Sequence, residues 1–232
     1  MTRITPSGRN RNFPLGARVT LEALDRDPHP MLARLREQEP VSWVPALDGW
    51  LVTRHDLAVA AMRDASRFTV DDPRFSTARV IGPSMLSLDG AEHARHRAPF
   101  VGPFRAAAVG ERFAAAAAAV IDRYATVDTG LGGAPIAAGE MVRISISAAN
   151  RDPAVFADPD VFDLTRANHR RHLAFAQGAH VCVGVHLARL ETRAALQALL
   201  ELAPRLRLDP SWTPEVRGLV FRKPPRLQVL WS

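Results

Sequence analysis

A chain of 232 residues with a single cysteine, Cys182, has no intrachain disulfide to rely on, so its fold must rest on a hydrophobic core. The material for a core is present. Apolar residues make up 47% of the chain and charged residues 23%, the balance of a globular domain rather than a disordered or fibrous chain. The length suits one large domain or two small ones, and a compact chain of this size buries about 70% of its unfolded surface. The longest apolar run, Ala114 to Ile121, is far short of the ~20 residues that span a bilayer. The first residues, Met1 to Gly16, are polar and basic, without the apolar core of a signal peptide. A cytoplasmic protein with no membrane attachment is expected. The formal charge is +6, and Lys223 is the one lysine among many arginines. The arginines are interleaved with acids rather than gathered with aromatics, which argues against a nucleic-acid partner.

Residue spacing predicts the main elements. Met31, Leu32, Leu35 and Arg36 recur at helical spacing up to Pro40. Val41 to Val44 and Trp50 to Thr53 are β-prone runs around the turn composition Pro45 to Gly49, which predicts a hairpin. His55 to Arg63 reads as a short helix. Phe68 to Leu88, rich in Asp, Pro, Ser and Gly, reads as a long loop. Ala91 to Arg97 begins a helix that Pro99 and Pro103 should break or kink. The alanine run drives a helix over Glu111 to Arg123. Glu140 to Ser147 alternates as a half-buried strand. His180 to Ala203 becomes a long helix after Cys182, with Arg189, Arg193, Gln197 and Glu201 on one face. The tail from Leu206 to Trp231 shows strand-like pieces.

The most informative stretch is Phe175-Ala176-Gln177-Gly178-Ala179-His180-Val181-Cys182-Val183-Gly184. Two glycines flank a cysteine just ahead of a long amphipathic helix. A thiol there sits near a positive helix terminus and backbone N–H groups, which favour the metal-binding thiolate. Gly178 and Gly184 permit positive φ or the close approach of a flat ligand. Two other readings stand beside this one. A free cysteine is commonly packed as a small hydrophobe. A zinc site is the other, since His169, His172, His180, Cys182 and His186 crowd together, although no paired C-x-x-C accompanies them.

The pattern F-x-x-G-x-H-x-C-x-G, matched here at every fixed position, resembles the haem-binding signature of the cytochrome P450 family. Similarity extends to Leu131-Gly132-Gly133 with Ile136 and Ala138-Gly139-Glu140. It extends also to Ala148-Ala149-Asn150-Arg151-Asp152-Pro153, Phe156-Ala157-Asp158-Pro159-Asp160, Gly49 to Arg54 and Glu92 to Arg97. The resemblance is to the soluble bacterial type. It implies a mainly α chain with a small antiparallel β-sheet (α+β), a partial P450 fold. One domain over 1–232 is implied, with 1–122 resembling the family's N-terminal part and 123–232 its haem-binding part. The implied cofactor is haem b, with Cys182 as axial thiolate. His93, Arg97, His180 and Arg123 match propionate contacts, although Arg123 could instead end the alanine-rich helix. Apart from the resemblance, His93 reads as an exposed surface residue. Phe175 would pack under the porphyrin, and His186 reads as structural. The Phe68 to Leu88 loop, with Met85 and Leu86, and the Leu219–Val220 turn should approach the distal side.

The implied function is a monooxygenase that inserts one oxygen atom from O2 into a small organic substrate. Its electrons would come from a ferredoxin-type donor and its reductase. The sequence also departs from the family. It lacks the A/G-G-x-D/E-T motif and the E-x-x-R helix: Glu92 and Arg95 have that spacing but fall elsewhere, and Val161 replaces the arginine that normally pairs with it. A non-catalytic haem-binding protein or inactive fragment is therefore the alternative reading. Exposed apolar surface on the distal side, where the central helices would lie, predicts a homodimer.

Overall fold

The computed structural model describes residues 9, 11–101, 120–219 and 222–231. Most of the alanine-rich stretch, with Pro103 and Val220, lies outside the described residues. Helices α1 (Leu21–Arg26) and α2 (His29–Gln38) lead into the expected hairpin, β1 (Val41–Val44) and β2 (Gly49–Val52). Asp48, at φ 47°, closes the turn between them. Helix α3 (His55–Arg63) follows with the bounds its sequence predicts. The Phe68 to Leu88 stretch is more ordered than a loop: it holds a short strand β3 (Phe68–Thr69) and helix α4 (Ser76–Ile81). Helix α5 (Gly90–Val101) runs through Pro99 instead of stopping there. A proline removes one amide donor, and here that loss does not end the helix.

Val120 to Arg123, expected as the end of an alanine-driven helix, belongs to strand β4 (Val120–Ala125). Cross-strand pairing overrides the local propensity: β4 is laddered to β7 (Met141–Ser145) from Val120↔Ser145 to Tyr124↔Met141. Arg143 closes a bidentate pair on Asp122, at 2.7 and 3.0 Å, across one rung. The hairpin β5 (Thr129–Leu131) and β6 (Ala134–Ile136) stands where Gly132-Gly133 predicts a turn. Strand β7 ends at Ser145 rather than Ser147, because the Ser145 hydroxyl accepts the Ala148 N–H and caps helix α6 (Ile146–Ala149). The long helix α7 (Val185–Leu202) starts five residues after His180, which lies in a 3-10 turn. The tail strands β8 (Arg207–Leu208) and β9 (Val229–Leu230) pair antiparallel.

The main sheet has the order β1-β2-β7-β4-β3. It is mixed rather than wholly antiparallel, because β2 and β7 run parallel. That pairing joins the N-terminal and C-terminal parts of the chain. Strand β2 is buried along its whole length. Trp50 and Val52 face one apolar cluster with Met62, Phe68, Val142 and Ile144, while Leu51 faces a second with Leu24, Leu32, Leu35 and Leu47. A strand covered on both faces needs a continuous apolar run, and Trp50-Leu51-Val52 supplies it.

Helix α3 lacks a side-chain cap from its own N-terminal neighbour, Arg54. Asp152, 97 residues away, takes that role: its Oδ2 accepts the His55 N–H at 2.9 Å, and its Oδ1 accepts the Ala154 N–H. Replacing Asp152 by alanine strands a buried amide and should cost about 1–2 kcal/mol. Urea unfolding midpoints of Asp152→Ala and wild type check this. By contrast, α7 is poorly covered. Leu196, Leu199, Leu200 and Leu202 are all exposed, and Ala188 is its one buried residue. Its apolar side is left unpacked, not just the polar stripe from Arg189 to Glu201. No described helix is long and apolar enough to cross a membrane.

Candidate functional site

A cavity of about 590 Å³ opens between the cysteine segment, the α4 region and strand β4. Its size falls within the roughly 300–1,000 Å³ of small-molecule sites. One wall is Phe175, Ala176, Val181, Cys182 and Val183. Val70, Phe75, Met85 and Leu86 also line the cavity, with Ile121 and Leu219. Met85, Leu86 and Leu219, expected on the distal side, line the same cavity as Cys182. The lining is mostly apolar and is interrupted by a few polar groups: Arg97, Arg123, His180 and the Asp122–Arg143 pair.

The cysteine segment is a tightly bent loop. The Leu173 N–H donates to Asn150 Oδ1 at 2.7 Å, which ties the loop to the end of α6. Ala176 (φ 60°) and Gly178 (φ 75°) both adopt the left-handed region. The Cys182 N–H donates back to the Phe175 carbonyl at 2.8 Å and closes the loop on itself. Cys182 is free and half-buried. Gly178 is required by packing against the protein rather than against a ligand: a Cβ there would lie 2.5 Å from the Met62 carbonyl oxygen at the end of α3. Gly184, the residue before α7, has φ −86°, a conformation open to any residue. Arg189 lies over the Phe175 ring at 5.6 Å, so one member of the α7 polar stripe covers the loop.

Helix α5 brings His93 and Arg97 to this loop on one face. His93 is buried at 6% exposure, not a surface residue. Its ring lies 4.3 Å from the His180 ring. Arg97 Nη2 donates to the Val181 carbonyl at 2.7 Å. Arg123, on β4, is 3% exposed. Its Nη1 donates to the Asp122 carbonyl. Two buried polar atoms are left without a partner here: His93 Nε2 and Arg123 Nη2. Burial pulls the Arg123 pKa down to about 10, with Asp89 and Asp122 pulling the other way. Burial, then the charges of His180 and Arg97, also lower the His93 pKa.

Asp89, which sequence reasoning missed, sits beside His180 in this cluster. Its Oδ1 accepts His180 Nε2 at 2.7 Å. Its Oδ2 accepts the Thr69 hydroxyl at 2.6 Å and the Val70 N–H at 2.9 Å. Burial alone would raise its pKa; the hydrogen bonds outweigh it and hold the carboxyl at about 2. The available signal was an acid immediately before the helix that carries His93. His169 and His186 are not among the cavity residues. Among the described residues no three His, Cys, Asp or Glu side chains come together to hold a metal, so the zinc arrangement does not form. Glu92 and Arg95 pair at 2.6 Å on the exposed side of α5, and Val161 is 60% exposed.

The residues present fit a mostly apolar group that carries anionic oxygens. Cys182 and Arg123 line one mostly apolar cavity, and the buried Arg123 Nη2 lacks a partner, as does His93 Nε2 beside the His180 ring. The family model described as cytochrome P450 matches residues 103–226, more than half of the chain. Nocardicin C N-oxygenase of Nocardia uniformis subsp. tsuyamanensis is 49% identical over 111 residues, covering 47% of this chain and 28% of that protein. The biotin biosynthesis cytochrome P450 of Bacillus subtilis (strain 168) is 47% identical over 91 residues, 39% of this chain and 23% of that protein. The matched stretches thus span about a quarter of these curated relatives. The crystal structure of CYP109E1 from Bacillus megaterium in complex with testosterone superposes with a TM-score of 0.79 at 15% identity, over 92% of this chain and 100% of that one, a likeness of fold. This chain belongs to the cytochrome P450 family.

Proposed function

We propose that the chain is a single-domain haem-thiolate protein of the monooxygenase type. It would insert one oxygen atom from O2 into a small, mostly apolar organic substrate, with electrons from a separate ferredoxin-type donor and its reductase. The observation that carries this reading is the partnerless buried Arg123 Nη2 on a cavity that free Cys182 also lines, with the partnerless His93 Nε2 behind it against the His180 ring. Cys182 would hold the iron of haem b. Arg97 and Arg123, with His93 and His180, would hold the propionates, giving each buried donor a charged acceptor. Phe175 would pack against the porphyrin, while Gly178 and Gly184 shape the loop. Bound haem supplies an iron made electron-rich by thiolate ligation, which favours O–O cleavage.

The chain's own residues would do the rest. Cys182 would ligate the iron from a loop whose backbone is held by the closing bond of its N–H to the Phe175 carbonyl. The guanidinium of Arg97 is bonded to the Val181 carbonyl, so anion binding on α5 and the seating of the cysteine are mechanically linked. Val70, Phe75, Met85 and Leu86 would exclude water from the bound haem and offer an apolar substrate its contacts.

One observation favours a second reading, a non-catalytic haem-binding protein. The apolar side of α7 is uncovered, and a helix of that kind normally packs inside a larger helical layer. Supplying the haem-loaded protein with ferredoxin, reductase and NADH over a panel of apolar small molecules separates the two. Reductant consumption matched by oxygenated product supports monooxygenation. Consumption that ends wholly in peroxide supports the second reading.

A further inference from the structure

We propose that Asp89 is a positioning residue for the haem site, acting through His180; the inference rests on the haem reading above. Asp89 precedes α5, and its carbonyl accepts the His93 N–H at 3.3 Å. Its carboxylate holds His180 on one oxygen, and Thr69 and the Val70 amide on the other. One side chain therefore ties three separate segments together: the exit of β3, the start of α5 and the cysteine loop. Its side chain is only 15% exposed and that of His180 only 11%, so the bond between them is shielded from competing water.

The geometry gives this contact a task beyond cohesion. His180 lies two residues before Cys182 and lines the cavity. With Nε2 committed to Asp89, the ring orientation is set and Nδ1 is its remaining polar atom. The same bond holds the His180 ring against that of His93. Asp89 also supplies negative charge to a cluster that contains Arg123, which it stabilises electrostatically. The arrangement parallels the carboxylate behind a metal-ligating histidine, whose loss weakens affinity about 10–100-fold, with His180 here orienting toward the haem's carboxylate and not its iron.

The test measures the rate of haem transfer from the loaded protein to excess apomyoglobin, beside the urea midpoint of the haem-free chain. Asp89→Asn should release haem about 10–100-fold faster than wild type, and Asp89→Glu should recover part of the difference. Thr69→Val removes a bond to the same carboxylate without touching His180. It should lower the haem-free midpoint while leaving the transfer rate within about twofold of wild type. Release by Asp89→Asn at the wild-type rate overturns the proposal. So does acceleration by Thr69→Val that matches Asp89→Asn, because the role would then be cohesion alone. A wild-type chain that takes up no haem overturns the haem reading and this inference together, and that result is distinct from the other two.

Discussion

Gly178→Ala should destabilise the fold by about 2–5 kcal/mol, combining left-handed backbone strain with overpacking. Both terms come from the same position. The backbone there has φ 75°, and an added Cβ would meet the Met62 carbonyl oxygen at 2.5 Å and the Arg63 Cα at 3.0 Å. Those contacts are backbone, so no side chain can swing aside. Relief requires the cysteine loop to lift from the end of α3, which would also strain the Gln177 contact with Arg63. Gly184→Ala is the matched control. Its φ of −86° suits alanine, and the change should stay within about 1 kcal/mol. Urea unfolding of the two variants and wild type checks the contrast. Two glycines that look equivalent around Cys182 in the sequence should differ by several kcal/mol in what they tolerate.

Arg123→Met should move two properties in opposite directions. The haem-free chain should gain about 1–3 kcal/mol of stability, because a buried donor without a partner is replaced by an apolar side chain of similar reach. The supporting facts are its 3% exposure, its partnerless Nη2, and a pKa drawn down to about 10 by burial. Haem affinity should fall at the same time, since the variant lacks a charged donor for a propionate. A purely structural arginine would show destabilisation alone. The measurements are urea midpoints of the haem-free proteins and haem titrations of the same samples.

Much of the fold could be read in the sequence because local signals and tertiary packing agree there. The β1–β2 hairpin follows from Pro45 to Gly49, and α3 matches His55 to Arg63 exactly in its bounds. Where they disagree, tertiary pairing prevails. Val120 to Arg123 follows an alanine run that favours helix, yet the chain lies in a ladder with β7 that no local pattern announces. The parallel β2–β7 contact joins residues about 90 positions apart and was equally invisible. The positions a motif and helical spacing mark in the sequence are brought together: Cys182, Phe175, His180 and Arg97 line one cavity, and His93 lies beside His180. Arg123 was legible only as one of two alternatives, and its strand placement puts it on the cavity. Asp89 was missed because its partners, Thr69 and His180, converge on it from 20 and 91 residues away.

The central claim is that Cys182 sulfur bonds a haem iron within this cavity. The most direct measurement is the absorption spectrum of the reduced protein under carbon monoxide, taken for wild type and Cys182→Ser side by side. The account predicts a strongly red-shifted Soret band in wild type and its disappearance in the serine variant. The same band in both proteins, or no haem absorption in wild type, would contradict it.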